Sequence, residues 1–405
     1  MQGLSQAPGV VSAQLQANID FCVPPVRVRQ RELECLNSKG VADDLLVFEV
    51  ASSDAVHANR REAVFLRVGD ENHRLGFAQR QELLYDKGQA TYGSRPVEGA
   101  GFELLDEELL DSYATAVRVP DKYRLLRARG LAQGETLTIA GVLLFASAPQ
   151  ALFPEAYVRL LRYRGSERGS GVRQQLIEDI RIEGPIPRQL LLARERVSRL
   201  QPMRRALAAS GRFGDMGLVP EDAWLEGVVN AVIHRSYSMV GDHVRVEIFD
   251  DRIEISSPGR FPGLVSLEEP LKTSRFARNP RIARVCSDLD FGQELGEGIP
   301  RIFDEMRLAG LTDPVYRQTS GSVVLTLLAD PVDRKLEASL PDNAREITSR
   351  LRTAGRLSTG EIEGLVGLSR PVVRRELNRL REAGIIEWVG KSAKDPRAYW
   401  KLCTK

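Results

Sequence analysis

Three polar side chains, Glu226, Asn230 and His234, recur at i, i+4 and i+8 in an otherwise largely apolar run from Glu221 to Arg235. A helix would set this carboxylate, amide and imidazole along one stripe, because residues four apart lie above one another. A polar row turned inward costs free energy unless it has partners. A ligand or a metal ion is one such partner; a solvated stripe is the alternative. Downstream, Gly259 closes Ser256-Ser257-Pro258-Gly259, and Gly296-Glu297-Gly298 stands directly before the helical pattern Ile302 to Leu308. Glycine permits close backbone approach, and free amides at a helix start suit phosphate. A second chemistry lies near the C-terminus, where Arg370, Arg374, Arg375 and Arg379 precede Lys391, Lys394 and Arg397. Guanidinium groups suit both phosphate and guanine.

The elements that must position these groups can be read from punctuation and periodicity. Pro220 opens the helix, and Glu221 and Asp222 fill its first turn. Val244–Phe249 alternates as a half-buried strand, Asp250-Asp251-Arg252 turns, and Ile253–Ser257 returns as its hairpin partner. A loop from Arg260 to Pro280, rich in Gly, Pro and basic residues, leads to a helix from about Arg281. Further upstream, Val26–Arg31, Leu45–Val50 and Ala63–Val68 suggest a small sheet, and Phe77–Leu84 and Asp106–Val117 have helical spacing. Thr138 opens a short buried helix, Ala156–Arg164 and Leu176–Glu183 fit strands, and Pro185 opens a helical stretch to about Leu207. A Gly-containing loop from Gly211 to Pro220 then precedes the polar-striped helix.

The chain has 405 residues, 42% hydrophobic and 28% charged, which is ordinary for a globular protein and long enough for two to four domains. Its longest apolar run falls far below the ~18 to 20 residues of a membrane-spanning helix, so a cytoplasmic protein is expected. Four cysteines without a C-x-x-C pair indicate neither a disulfide framework nor a structural metal. The net charge of +2 hides an asymmetry: Pro341–Lys405 carries 14 Lys/Arg against 8 Asp/Glu. Local basic charge of this kind marks a nucleic-acid partner.

Four separated segments, EGVVNAVIHRSY (226–237), FDDRIEISSPG (249–259), Arg278-Asn279-Pro280 and GEGIPRI (296–302), resemble the ATP-binding C-terminal module of RecG-related bacterial transcriptional regulators. That module is similar to the GHKL ATPase fold. The resemblance implies ATP and Mg²⁺ as cofactors: Glu226 would activate water, and Asn230, with His234 beside it, would hold Mg²⁺ and nucleotide. Gly259, Gly296 and Gly298 would meet nucleotide, and Thr326 would lie in the strand facing the adenine. The chain departs from the GHKL pattern at Ser256-Ser257, where an Asp normally accepts the adenine amino group, and at Ser236, where the family usually has Asp. Binding without efficient hydrolysis is the expectation. Leu45–Asp70 resembles the second half of an AlbA/Schlafen-like domain whose first half is missing, which argues against nuclease activity.

In the basic tail, Ala344–Ala354, Thr359–Val366 and Arg370–Ala383 form three helices, and Ile385–Val389 with Ala398–Leu402 forms a hairpin. The pattern resembles a winged helix, with Lys391, Lys394 and Arg397 meeting phosphate on the wing. The expected fold is α+β and multidomain: a truncated AlbA/Schlafen-like domain (1–100), a connector (101–201), a GHKL-like module (202–332) and a winged helix-turn-helix (341–405). The expected function is a DNA-binding transcriptional regulator, a homodimer, with a nucleotide in the GHKL-like pocket as candidate effector. An ATPase of DNA repair or phage defence, and a non-sequence-specific or single-strand DNA binder of genome maintenance, stay open.

Overall fold

The computed structural model describes residues 22–36, 40–50, 53, 55–68, 71–88, 91–169, 171, 174–207, 213–261, 270–272, 277–292, 298–319, 321–332, 340–390, 395 and 398–403. The chain is mixed α+β and divides into two compact units, Met1–Met306 with Tyr316–Ala329, and Arg307–Val315 with Asp330–Lys405. No helix among the described residues is long and apolar enough to cross a membrane.

The first unit begins with two separate antiparallel hairpins, β1 (Val28–Leu36) with β2 (Ala42–Val50), and β3 (Phe65–Val68) with β4 (Glu71–Arg74). The single small sheet expected here is therefore two ribbons. Leu33, Leu36 and Val50 on the first ribbon are exposed, and an isolated two-stranded ribbon is marginal in water. Helices α1 (Phe77–Asp86), α2 (Glu107–Ala116) and α3 (Lys122–Ala128) follow. Asp106 caps α2 by accepting from Leu109 N at 3.1 Å, and Asp121 caps α3 from Arg124 N at 2.8 Å. A short pair, β5 (Ala132–Gln133) and β6 (Thr136–Leu137), leads into α4 (Ile139–Phe145), all seven residues of which are buried. The Thr138 hydroxyl caps α4, accepting from Gly141 N at 3.3 Å and donating to Gly130 O at 3.1 Å.

The chain then enters its central sheet through β7 (Val158–Tyr163) and β8 (Leu176–Ile182), continues through α5 (Ile186–Leu200) and the hairpin β9 (Met203–Leu207) with β10 (Phe213–Gly217), and reaches α6 (Glu221–Ile233). The helix expected to run to Leu207 stops at Leu200, because Gln201 precedes a proline and is held extended. Strands β11 (Val244–Ile248) and β12 (Arg252–Pro258), helices α7 (Pro280–Asp288) and α8 (Gly298–Leu308), and strands β13 (Val315–Gln318) and β14 (Ser322–Leu328) complete the unit. The sheet has six strands in the order β13-β14-β12-β11-β7-β8, with β7 and β11 parallel across the α5–α6 crossover. It crosses the boundary drawn at residue 201, since β7 and β8 belong to the same sheet as β11, β12 and β14.

Alternation fixes the two faces of this sheet. A Cβ on Gly227 of α6 would lie 2.8 Å from both Ile255 Cδ1 and Leu325 Cδ2, so α6 rests on the face that carries these register partners. Glu254 and its partner Thr326 face the other way. There Glu247 and Glu254, opposite one another on β11 and β12, are both buried. One guanidinium nitrogen, Arg168 Nη2, donates to both, at 2.8 Å and 3.0 Å. Arg252 donates to Glu254 at 2.7 Å while lying 3.8 Å over the Phe249 ring.

The second unit contains α9 (Asp342–Ala354), α10 (Thr359–Val366), α11 (Arg370–Glu382) and the hairpin β15 (Ile386–Val389) with β16 (Tyr399–Leu402). Ser358 and Glu361 form a reciprocal capping box at the start of α10. Ile347 and Leu351 of α9, Ile362 of α10, Val373, Leu377 and Leu380 of α11, and Trp400 of β16 form one buried cluster.

A Cβ on Gly141 would fall on the Leu131 carbonyl oxygen, a backbone atom that cannot turn aside. Gly141→Ala is expected to destabilise the protein by about 3 kcal/mol, at the upper end for overpacking, measured by urea unfolding against Gly134→Ala. At Gly134 a Cβ meets nothing within 4 Å, although the positive φ carries its own smaller strain.

Candidate functional site

Helix α6 carries the polar stripe, and the structure treats its three residues in two different ways. Glu226 and Asn230 face one another near the middle of the helix, with Asn230 Nδ2 donating to Glu226 Oε1 at 3.1 Å. That bond leaves the Asn230 carbonyl oxygen and the second Glu226 oxygen as acceptors. Gly298, the first residue of α8, closes over the pair: a Cβ there would fall on Glu226 Oε1 and lie 3.1 Å from Asn230 Nδ2. The glycine-rich segment thus returns to the carboxylate and amide 68 to 72 positions earlier in the chain. Gly296 lies outside the described residues.

Burial raises the Glu226 pKa, while the Arg301 charge and the Asn230 hydrogen bond pull it down. Arg301 sits one turn into α8 and also approaches Asp222 at 3.7 Å. Tyr316 on β13 is near enough for Glu226 to add to the upward push that burial exerts on its phenol, and its ring meets Phe261 edge-on at 5.4 Å. Sequence reasoning missed Arg301 and Tyr316. Arg301, three residues after Gly298, could have been found from the helix start; Tyr316 had no local signal. Carboxylate and amide oxygens form a hard donor set that fits Mg²⁺, and Gly298 leaves room where any side chain would collide. Among the described residues there is no cluster of three or more His, Cys, Asp or Glu placed to hold a metal.

His234 belongs to a separate arrangement at the C-terminal end of α6. It is the C-cap residue, partly buried, and burial and the Arg278 charge push its pKa down to about 4. Its imidazole is therefore neutral at physiological pH. The last carbonyls of α6 are taken up from the α7 side. Asn279 Nδ2 donates to Ile233 O and Arg235 O, both at 2.8 Å, and Arg278 Nη1 donates to His234 O at 2.5 Å. Arg278 Nη2 continues to Arg260 O at 2.6 Å.

Gly259 is placed in this arrangement too. It has φ +115°, and a Cβ would lie 2.6 Å from Arg278 Nη1 and 3.0 Å from Ser236 Cβ. Its openness is filled by arginine. The two serines standing where an acidic group was expected are also committed. Ser257 Oγ donates to Ala231 O at 2.7 Å on the α6 face, and Ser256 Oγ accepts from Arg245 on the opposite face. Thr326 shares that opposite face, so the structure separates it from Glu226 and Asn230. Ser236 Oγ donates to Glu82 of α1 at 2.6 Å.

In the second unit α11 turns Val373, Leu377 and Leu380 inward and leaves Arg370, Arg374, Arg375 and Arg379 exposed along one outward face with Asn378. Arg370 pairs with Glu363 of α10 at 3.3 Å, and Arg375 with the buried Glu376 at 3.2 Å. Neither Arg374 nor Arg379 has an ion pair among the described residues. Lys391, Lys394 and Arg397 lie outside the described residues.

Two outcomes follow. Asn279→Ala leaves two sealed carbonyls unsatisfied and is expected to cost about 1–3 kcal/mol, read as a fall in the unfolding midpoint in denaturant. Because the folded pKa of Glu226 is raised, its contribution to stability is complete below the ordinary value near 4.5 and declines as pH rises through the folded value. Glu226→Gln removes that decline, so Tm measured from pH 4 to 8 should fall less steeply for the variant than for the parent chain.

Residues 241–327 match the family model described as "Putative ATP-dependent DNA helicase recG C-terminal". The matched stretch contains Gly298 and Thr326 and begins after Glu226 and Asn230. No curated protein matches the chain. Among solved structures, the DIP2311 protein from Corynebacterium diphtheriae is similar over 96% of this chain and 78% of that one, at 19% identity and a TM-score of 0.49.

Proposed function

We propose that the protein is a DNA-binding transcriptional regulator whose affinity for DNA responds to a nucleotide. The observation that carries the DNA half is the outward face of α11, which gathers four arginines on a helix whose other side anchors the core of its unit. A helix held this way presents a fixed array of cations to a polyanion, and the unit resembles a winged helix in the order of its elements. The nucleotide half rests on the convergence of Glu226, Asn230 and Gly298. In this reading Asn230 and Glu226 would hold Mg²⁺, which would offset phosphate charge, and the Gly298 end of α8 would meet the phosphates with its first-turn amides. The matched family description points the same way. A second copy of the chain, pairing through the exposed β1–β2 ribbon, would present two such helices to two half-sites.

A second reading is favoured by one observation: burial raises the Glu226 pKa, which suits a general base. ATP hydrolysis that vanishes in Glu226→Gln would place the protein among ATPases instead.

The deciding experiment is anisotropy of a labelled duplex titrated with the full chain at 50 and 200 mM salt, with and without ATP and Mg²⁺. Affinity is expected to fall steeply with salt, by roughly tenfold or more if several phosphates are contacted. ATP with Mg²⁺ should change it, and Asn230→Ala should abolish that change while leaving binding without ATP intact. Salt-independent binding, or none, removes the DNA reading; an ATP effect that survives Asn230→Ala removes the nucleotide site.

A further inference from the structure

The outward face of α11 is not uniform, and its differences separate two kinds of contact. At ~100° per residue, Val373, Glu376, Leu377 and Leu380 centre the buried side of the helix. Asn378 then points within about 30° of the opposite direction. Arg374 lies one turn before it and toward one flank. Both side chains are exposed and neither has an ion pair or hydrogen-bond partner among the described residues. Arg370 and Arg375 differ from them. Their guanidinium groups are held by Glu363 and Glu376, at 3.3 Å and 3.2 Å, so part of their charge and donor capacity is already engaged. Glu382 closes the strip in the last turn, and its carboxylate repels phosphate, so the earlier part of the helix is the part that approaches DNA.

Base edges distinguish these side chains. Arginine donates in parallel to O6 and N7 of guanine, and asparagine makes a two-way bond to N6 and N7 of adenine, both exposed in the major groove. Residues four apart on a helix are separated by about 6 Å along its axis, roughly two steps of a duplex rising 3.4 Å per base pair. We propose that Arg374 and Asn378 read sequence, taking a guanine and an adenine within about two base pairs of each other in the major groove of duplex DNA. The paired Arg370 and Arg375 hold the backbone. This inference rests on the reading that the second unit binds DNA, and it names the substrate as a double helix with a specific half-site.

The test is selection from a duplex pool with a randomised core, using the full chain, Asn378→Ala, Arg374→Lys and Arg370→Ala, each checked for native circular dichroism. The parent chain should enrich a motif with guanine and adenine at the stated spacing. Asn378→Ala should lose discrimination at the adenine by about tenfold while binding the unselected pool within about threefold of the parent. Arg374→Lys keeps the charge but loses the planar fork, and should relax the guanine position alone. Arg370→Ala should weaken binding to all sequences alike and reduce the salt slope by about one. If Asn378→Ala and Arg374→Lys enrich the parent motif unchanged, the two residues do not read sequence. Binding of the pool without enrichment of any motif overturns the assignment and leaves DNA binding standing. Failure of the parent chain to bind the pool at either salt concentration removes DNA binding itself.

Discussion

The end of α6 is the constraint on which the first unit depends. A helix leaves its last carbonyls without intrahelical partners, and here those of Ile233 and Arg235 are buried and that of His234 partly so. Asn279 and Arg278 resolve this from across the chain. Asn279 stands at the N-cap position of α7, yet its side chain does not cap its own helix and donates instead to Ile233 O and Arg235 O. Two helices are thereby locked end to start by one amide. Arg278 must pass over residue 259 to reach both His234 O and Arg260 O, and that passage admits only glycine there. His234, partly buried beside the guanidinium, is held neutral. With its end fixed this way and Gly227 pressed onto Ile255 and Leu325, α6 has little freedom to slide or rotate. The orientation of Glu226 and Asn230 follows from these contacts.

Charge in the second unit obeys a similar economy of position. Helix α11 is strongly basic, but two of its cations are answered from within the unit by Glu363 and Glu376. Glu376 is buried beside Val373, Leu377 and Leu380, and a carboxylate out of water needs a cation nearby. The same pairings stiffen long side chains that would otherwise lose rotamer entropy on meeting a partner. What remains unengaged is a narrower set than the sequence suggests, and its composition changes along the helix.

Much of the architecture was legible because local signals agreed. Thr138 opens a helix where the sequence places it, accepting from Gly141 N, and Asp106, the first residue of a stretch with helical spacing, accepts from Leu109 N. The strands of the β11–β12 hairpin follow from their alternation. Long-range placement was less legible. The stripe Glu226, Asn230 and His234 has one spacing but two environments, because the helix ends at His234 and its cap is supplied from residues 278 and 279. Glycine at 259 reads the same in sequence whether it admits phosphate or arginine, and only the three-dimensional path of Arg278 distinguishes the two. The resemblance sets Thr326 in the strand facing the adenine, but the face it occupies depends on a register with Glu254 that no local pattern sets. Membership of β7, and of β8 paired antiparallel to it, in the central sheet was hidden for the same reason: the parallel pairing of β7 with β11 across a crossover leaves no trace in either strand alone.

The far face of the sheet carries a consequence of another kind. Glu247 and Glu254 are directly opposed and buried, and they are reconciled by a single nitrogen of Arg168 in the β7–β8 loop, with Arg252 assisting one of them. Loss of Arg168 removes the cation that the two carboxylates share while Arg252 stays bonded to Glu254, and loss of one glutamate leaves the others unevenly matched. Over evolutionary time such a trio has few single-step exits. Any lineage that changes it must pass through a less stable intermediate or alter several positions together, so these residues should drift as a block.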